Sequence, residues 1–213
     1  MEAFHFVTKL DQTLLLGLQA KTIPELLTGV RSVPDSSIYF HTHRFLQQHH
    51  FLSPEPPNDF AYWVTNVLGD DALAERLWSV DTVRFAGISG LREKLIAILE
   101  SYIETSKRDI ECVSGGEFYF MACKTFVFPN GYVAHTLTEF AEYLSKVSIS
   151  SIYFHVFDAK LRLKTGENDF SRWFLDLGQT ALANETKRLD PYSYTLDGLR
   201  RQIVALVKKY DSH

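Results

Sequence analysis

A chain of 213 residues with 46% hydrophobic and 14% aromatic residues can bury a substantial core, as one large domain or two small ones. Its formal charge of −4, with basic residues scattered among acidic ones, supplies no basic face for a nucleic-acid backbone. The start MEAFHFVTKLDQ lacks a basic stretch followed by an apolar one, and no apolar run nears the roughly 18 residues of a membrane span.

A cytoplasmic protein without nucleic-acid or membrane partners is therefore expected. Its two cysteines, Cys112 and Cys123, have no CxxC spacing and are expected as reduced, buried thiols.

In chain order, AFHFVTKL and TLLLGLQA predict the two strands of a β-hairpin. Thr22-Ile23-Pro24-Glu25 fits a capping box, so a helix starts there. The pair Ser36-Ser37 before Ile38 is expected to cap a second helix, although the string IYFH also fits a strand, and Asn58-Asp59 to cap a third. In that third helix Phe60, Trp63, Val64 and Val67 follow the spacing of one buried face, and Gly69 ends it. A short helix follows. The last helix carries Leu91, Leu95, Ile98, Leu99 and Tyr102 on one stripe. Residues 108–116 mix charge, Ser and the pair Gly115-Gly116 in the manner of a linker.

The pattern then begins again. EFYFMACKTFVF, with Pro129-Asn130-Gly131 as a turn signal before YVAHT, predicts a second hairpin, and Thr136-Leu137-Thr138-Glu139 a second capping box. SSIYFH occurs at residues 36–41 and recurs letter for letter at 150–155, an offset of 114. Asn58-Asp59-Phe60 and Trp63 meet Asn168-Asp169-Phe170 and Trp173 at an offset of 110, and Gly90-Leu91-Arg92 meets Gly198-Leu199-Arg200 at 108. Ordered matches with small slips in loops mark a duplicated unit.

The expected fold is α+β and mainly helical: a tandem duplicate of a β-hairpin followed by four to five helices, packed about a pseudo-twofold axis. Residues 1–107 form the first copy, 108–116 the linker and 117–213 the second copy.

The ordered set of Ser-Ile-Tyr-Phe-His, Asn-Asp-Phe with Trp three residues on, and Leu68-Gly69-Asp70-Asp71-Ala72-Leu73-Ala74 resembles a bacterial and archaeal family of small uncharacterised proteins carrying a domain of unknown function. The second copy departs from that pattern after Trp173, where Leu177-Gly178-Gln179-Thr180-Ala181-Leu182-Ala183 lacks the acidic pair. The resemblance implies a shared fold, with no activity, cofactor or catalytic residue to carry over.

His41 and His155, held at one position in both copies, are the sharpest candidates for chemistry. Their position on an apolar face predicts buried imidazoles bonded to the carboxylates of Asp59 and Asp169 at the start of the following helix. Ser36 and Ser150 would cap the helices that carry them.

The cluster of His41, His43, His49 and His50 suggests zinc. However, His43, His49 and His50 match Phe157, Leu163 and Lys164, and no Cys or acidic ligand stands at a metal spacing. Neither metal nor cofactor is expected, and phosphate loops and nucleophile elbows are missing from the sequence. Asp70-Asp71 reads as a helix start, and Trp63 and Trp173 as core.

Two functions follow. One is a non-catalytic binding or regulatory module for an unidentified protein or small-molecule partner. The other is a small-molecule hydrolase or isomerase using His41 or His155 with Asp59 or Asp169 at the junction of the copies. The symmetry favours the first, because the repeated residues cap, turn and pack, whereas a single active site needs asymmetric partners.

Overall fold

The computed structural model describes residues 2–44, 58–106, 108–163, 167–189 and 194–211. It is mixed α+β and mainly helical, with one two-stranded sheet among the described residues. Each expected hairpin is replaced by one 17-residue strand, β1 (Phe4–Ala20) and β2 (Phe118–Ala134). These two strands pair with each other. Gly17 and Gly131 take φ of 69° and 82° inside the continuous strands. A residue at positive φ serves a strand bulge as well as a turn, so a local turn signal does not decide between them.

The chain forms two compact units, Met1–Leu10 with Thr125–His213, and Asp11–Lys124. They are named here the His155 unit and the His41 unit. Relative to the segments 1–107 and 117–213, strand ends are exchanged: residues up to Leu10 belong with the helices that follow β2, and Phe118–Lys124 with those that follow β1.

In the His41 unit, α1 (Ile23–Ser32) starts at Thr22, whose side chain accepts the Glu25 N–H at 3.3 Å. Glu25 in turn accepts the Lys21 N–H at 2.7 Å. The next helix, α2 (Asp35–Tyr39), runs into a π-helical turn, Phe40–Arg44. Asn58 caps α3 (Asp59–Trp63), which widens into a second π-helical turn, Val64–Leu68, before Gly69 ends it at φ 65°. That extra width moves the buried face by one residue, so Leu68 is buried and the expected Val67 is exposed. Asp70 caps α4 (Asp71–Trp78), and α5 (Ile88–Thr105) buries its whole predicted stripe.

Phe118 and Phe120 of β2 complete this core beside Leu26, Ile38, Phe60 and Leu91. A Cβ on Gly29 of α1 would lie 2.1 Å from the Phe120 ring, so glycine is what lets strand and helix meet.

In the His155 unit, Thr136 caps α6 (Leu137–Leu144), accepting the Glu139 N–H at 3.2 Å. α7 (Ile149–Tyr153) passes through the π-helical turn Phe154–Asp158 into α8 (Ala159–Leu163). Asn168 caps α9 (Asp169–Asp176), Gly178 follows at φ 75°, and α10 (Thr180–Lys187) and α11 (Leu196–Asp211) complete the unit. Phe4 and Phe6 of β1 enter an aromatic core with Phe140 and Phe170.

Ser36 and Ser150 do not cap, contrary to expectation. Each helix begins earlier in the chain, after Pro34 without a side-chain cap and after Ser148, which accepts the Ser151 N–H at 3.2 Å. The repeated serines therefore fall within the first turn, where Ser151 Oγ donates to the Val7 carbonyl at 2.5 Å.

Candidate functional site

Each unit buries one of the repeated histidines, and the structure brings each to its expected aspartate. In the His41 unit, Nδ1 lies 2.5 Å from Asp59 Oδ2, while Nε2 accepts the main-chain N–H of Met121 in β2 at 2.9 Å. A ring nitrogen that accepts carries no proton, so the imidazole is the Nδ1–H tautomer and donates to the carboxylate. The rings of Phe118 and Phe60, at 4.7 and 5.4 Å, pack against it.

In the His155 unit, Nδ1 lies 2.8 Å from Asp169 Oδ2, and Nε2 accepts the Val7 N–H of β1 at 3.0 Å. Both nitrogens of both rings are occupied, leaving neither a lone pair nor a proton for a substrate or metal. The strand donors lie far away in sequence, so reading the sequence found the aspartates and missed Met121 and Val7.

Trp63 and Trp173 are buried as expected, and their indole N–H groups donate to the carbonyls of Gly116 and Glu2 at 2.7 and 3.0 Å. His43 is buried, stacked on Tyr39 with ring centroids 5.4 Å apart and 3.1 Å from Thr42 Oγ1; His49 and His50 lie outside the described residues. Among the described residues no group of three or more His, Cys, Asp or Glu is placed to hold a metal ion, and no helix is long and apolar enough to cross a membrane. Neither Cys112 nor Cys123 is in a disulfide; burial first, then the nearby Glu117 charge, pushes the Cys112 thiol up, so it stays protonated.

The two units differ in their charged groups. In the His41 unit Asp70 accepts the Tyr102 hydroxyl, with Arg108 at 3.4 Å. Burial pushes the Asp70 carboxyl up, but the Tyr102 hydroxyl, the Leu73 amide and Arg108 together outweigh it and hold the group below its ordinary value. Burial, and then the bond to Asp70, raises the Tyr102 hydroxyl.

In the His155 unit Lys9 and Asp158 form a buried ion pair at 2.7 Å. The offset of 114 sets Cys123 and Arg44 against these two. That charge change between matched positions is the sequence signal for the pair.

The His155 unit also holds an open cleft of about 430 Å³. Its apolar lining includes Phe4, Phe154 and Trp173; its polar lining includes His155, Asp169, Arg162, Arg172 and Asp176. The Arg162 guanidinium lies 4.3 Å from the Phe154 ring centroid and donates to Asp169 at 2.6 Å, so one carboxylate orients both His155 and Arg162. Arg172 and Asp176 match the uncharged Tyr62 and Asn66 at the offset of 110, whereas His155 and Asp169 match His41 and Asp59.

A mainly helical chain with one pair of long strands, and histidines fixed between strand and helix, defines a mixed α+β protein. The chain belongs to the family of unknown function DUF5752, whose model matches residues 1–208. Among solved structures it is similar to OrfY from Thermoproteus tenax, with a TM-score of 0.82 and 29% sequence identity over 100% of this chain and 99% of that one. A comparison with curated proteins finds no match.

Proposed function

We propose that the protein is a non-catalytic binding or regulatory module, built from two copies of one α+β unit, for a protein or small-molecule partner. One observation carries this reading: in both units the imidazole nitrogens are fully engaged, by an aspartate on one side and a strand amide on the other. A hydrolase or isomerase using His41 or His155 with Asp59 or Asp169 would need Nε2 to release its strand before it could move a proton.

The cleft in the His155 unit is the proposed binding place. Its volume falls in the range of about 300 to 1,000 Å³ common to ligand sites, and it combines an aromatic lining with a few charged groups. Because Arg172 is exposed, its replacement tests binding without disturbing the core.

The test is purification from the native host, with mass spectrometry of bound proteins and small molecules, for the parent chain and for Arg172→Glu. The reading expects bound material on the parent, its loss from the variant and equal melting temperatures. Turnover of hydrolase or isomerase substrates by the parent, abolished in His155→Asn without loss of stability, would overturn it.

A further inference from the structure

The cleft of the His155 unit has four charged groups in its lining, Arg162, Asp169, Arg172 and Asp176, beside the imidazoles of His5 and His155. Two of the four are engaged within the protein: Arg162 donates to Asp169 at 2.6 Å, and Asp169 also holds His155. Arg172 and Asp176 are exposed and make no side-chain hydrogen bond or ion pair with the described residues.

Helix stability does not explain this second pair. The two stand one turn apart on α9 in the order Arg then Asp, the weaker order for an ion pair at that spacing. Asp176 is also the last residue of the helix, where the macrodipole disfavours a carboxylate. One cation and one anion thus reach the same cleft as neighbours, about 5 to 6 Å apart at Cβ, and neither charge is met.

On the reading that this cleft is the binding place, we infer that it takes a small zwitterion with an apolar body: an α-amino acid with a large apolar side chain. Arg172 donates to its carboxylate, Asp176 accepts from its ammonium group, and its side chain lies against Phe4, Val127 and Trp173. A guanidinium only donates and a carboxylate only accepts, so the two ends of the ligand cannot be exchanged. The volume of about 430 Å³ lies near the lower end for ligand sites, as one amino acid requires.

Isothermal titration calorimetry of the full chain tests this with L-phenylalanine and three probes that each lack one feature. Phenylpropionate has no ammonium group, phenethylamine no carboxylate and glycine no apolar side chain. Phenylalanine should saturate one site per chain. Each of the other probes should bind at least about tenfold more weakly, because it leaves part of the site without its partner.

Arg172→Gln should lower the affinity for phenylalanine to that for phenethylamine, and leave phenethylamine unchanged. Asp176→Asn should lower it to that for phenylpropionate, and leave phenylpropionate unchanged. Both positions are exposed, so both variants should melt like the parent.

A parent chain that does not bind phenylalanine, or binds it no better than any one of the three probes, overturns the inference. So does a folded variant that binds phenylalanine like the parent. The cleft itself is judged apart from its ligand, by the material carried from the native host. Material that persists on Arg172→Glu removes the cleft, whereas its loss there, beside a parent that ignores phenylalanine, removes only the amino acid.

Discussion

The Nε2 of His155 accepts the main-chain N–H of Val7, 148 residues earlier in the chain, at 3.0 Å. His41 does the same for Met121 in its own unit, at 2.9 Å. Each histidine thus ties a strand to the helical layer it packs on, and the aspartate behind it fixes which nitrogen is bare. Replacing His41 or His155 by Ala leaves a buried amide and a carboxylate without their partner. Each change should cost about 1.5 to 3 kcal/mol in urea unfolding, by similar amounts in the two units. A variant that unfolds like the parent would show that the bonds contribute nothing.

Gly29 gives a steric counterpart on the His41 side. With the Phe120 ring 2.1 Å from where a Cβ would stand and itself fully buried, Gly29→Ala has to push that ring into a filled core. The expected loss is about 1 to 3 kcal/mol, despite the better helix propensity of alanine. Phe120→Leu in the same background should recover part of it, and an additive double variant would contradict the contact.

Lys9 and Asp158 allow a sharper test, because a buried pair behaves differently when one member goes and when both go. Lys9→Met strands a buried carboxylate and should cost about 3 to 5 kcal/mol, whereas Lys9→Met with Asp158→Leu should lie much closer to the parent. Equal losses for the single and double variants would mean that the pair is not coupled.

Acid should act through Asp70. Its carboxyl is held below the ordinary value of about 3.9, so the folded state binds that proton less readily than the unfolded state does. The stability it supplies is complete above the unfolded value and is lost as pH falls through the folded one. The gap in urea midpoint between the parent and Asp70→Asn should therefore be widest above about pH 5 and narrow on acidification. A gap independent of pH would remove Asp70 from the account.

Much of the helical frame is legible in the sequence because caps and stripes are local. Thr22, Thr136, Asn58 and Asn168 accept the amides of their own first turns, and the stripe from Leu91 to Tyr102 needs only helical geometry. The histidine–aspartate pairs are legible too, since both members recur together. What the sequence hides is non-local. Pro129-Asn130-Gly131 suggests a turn, but Gly131 lies inside a strand whose partner stands more than a hundred residues away. The π-helical turns are equally silent, because Val64–Leu68 differs from an α-helix only in where the next buried side chain falls.

The central claim, that His41 and His155 are internal struts and not catalytic groups, rests on which ring nitrogen carries the proton. A long-range proton–nitrogen correlation spectrum of the uniformly labelled chain at neutral pH reads this directly. The account predicts a protonated Nδ1 and a bare, hydrogen-bonded Nε2 for both residues. It also predicts a through-bond coupling from each Nε2 to the amide of Val7 or Met121. A protonated Nε2 on either ring, or rapid exchange between the two tautomers, would contradict it.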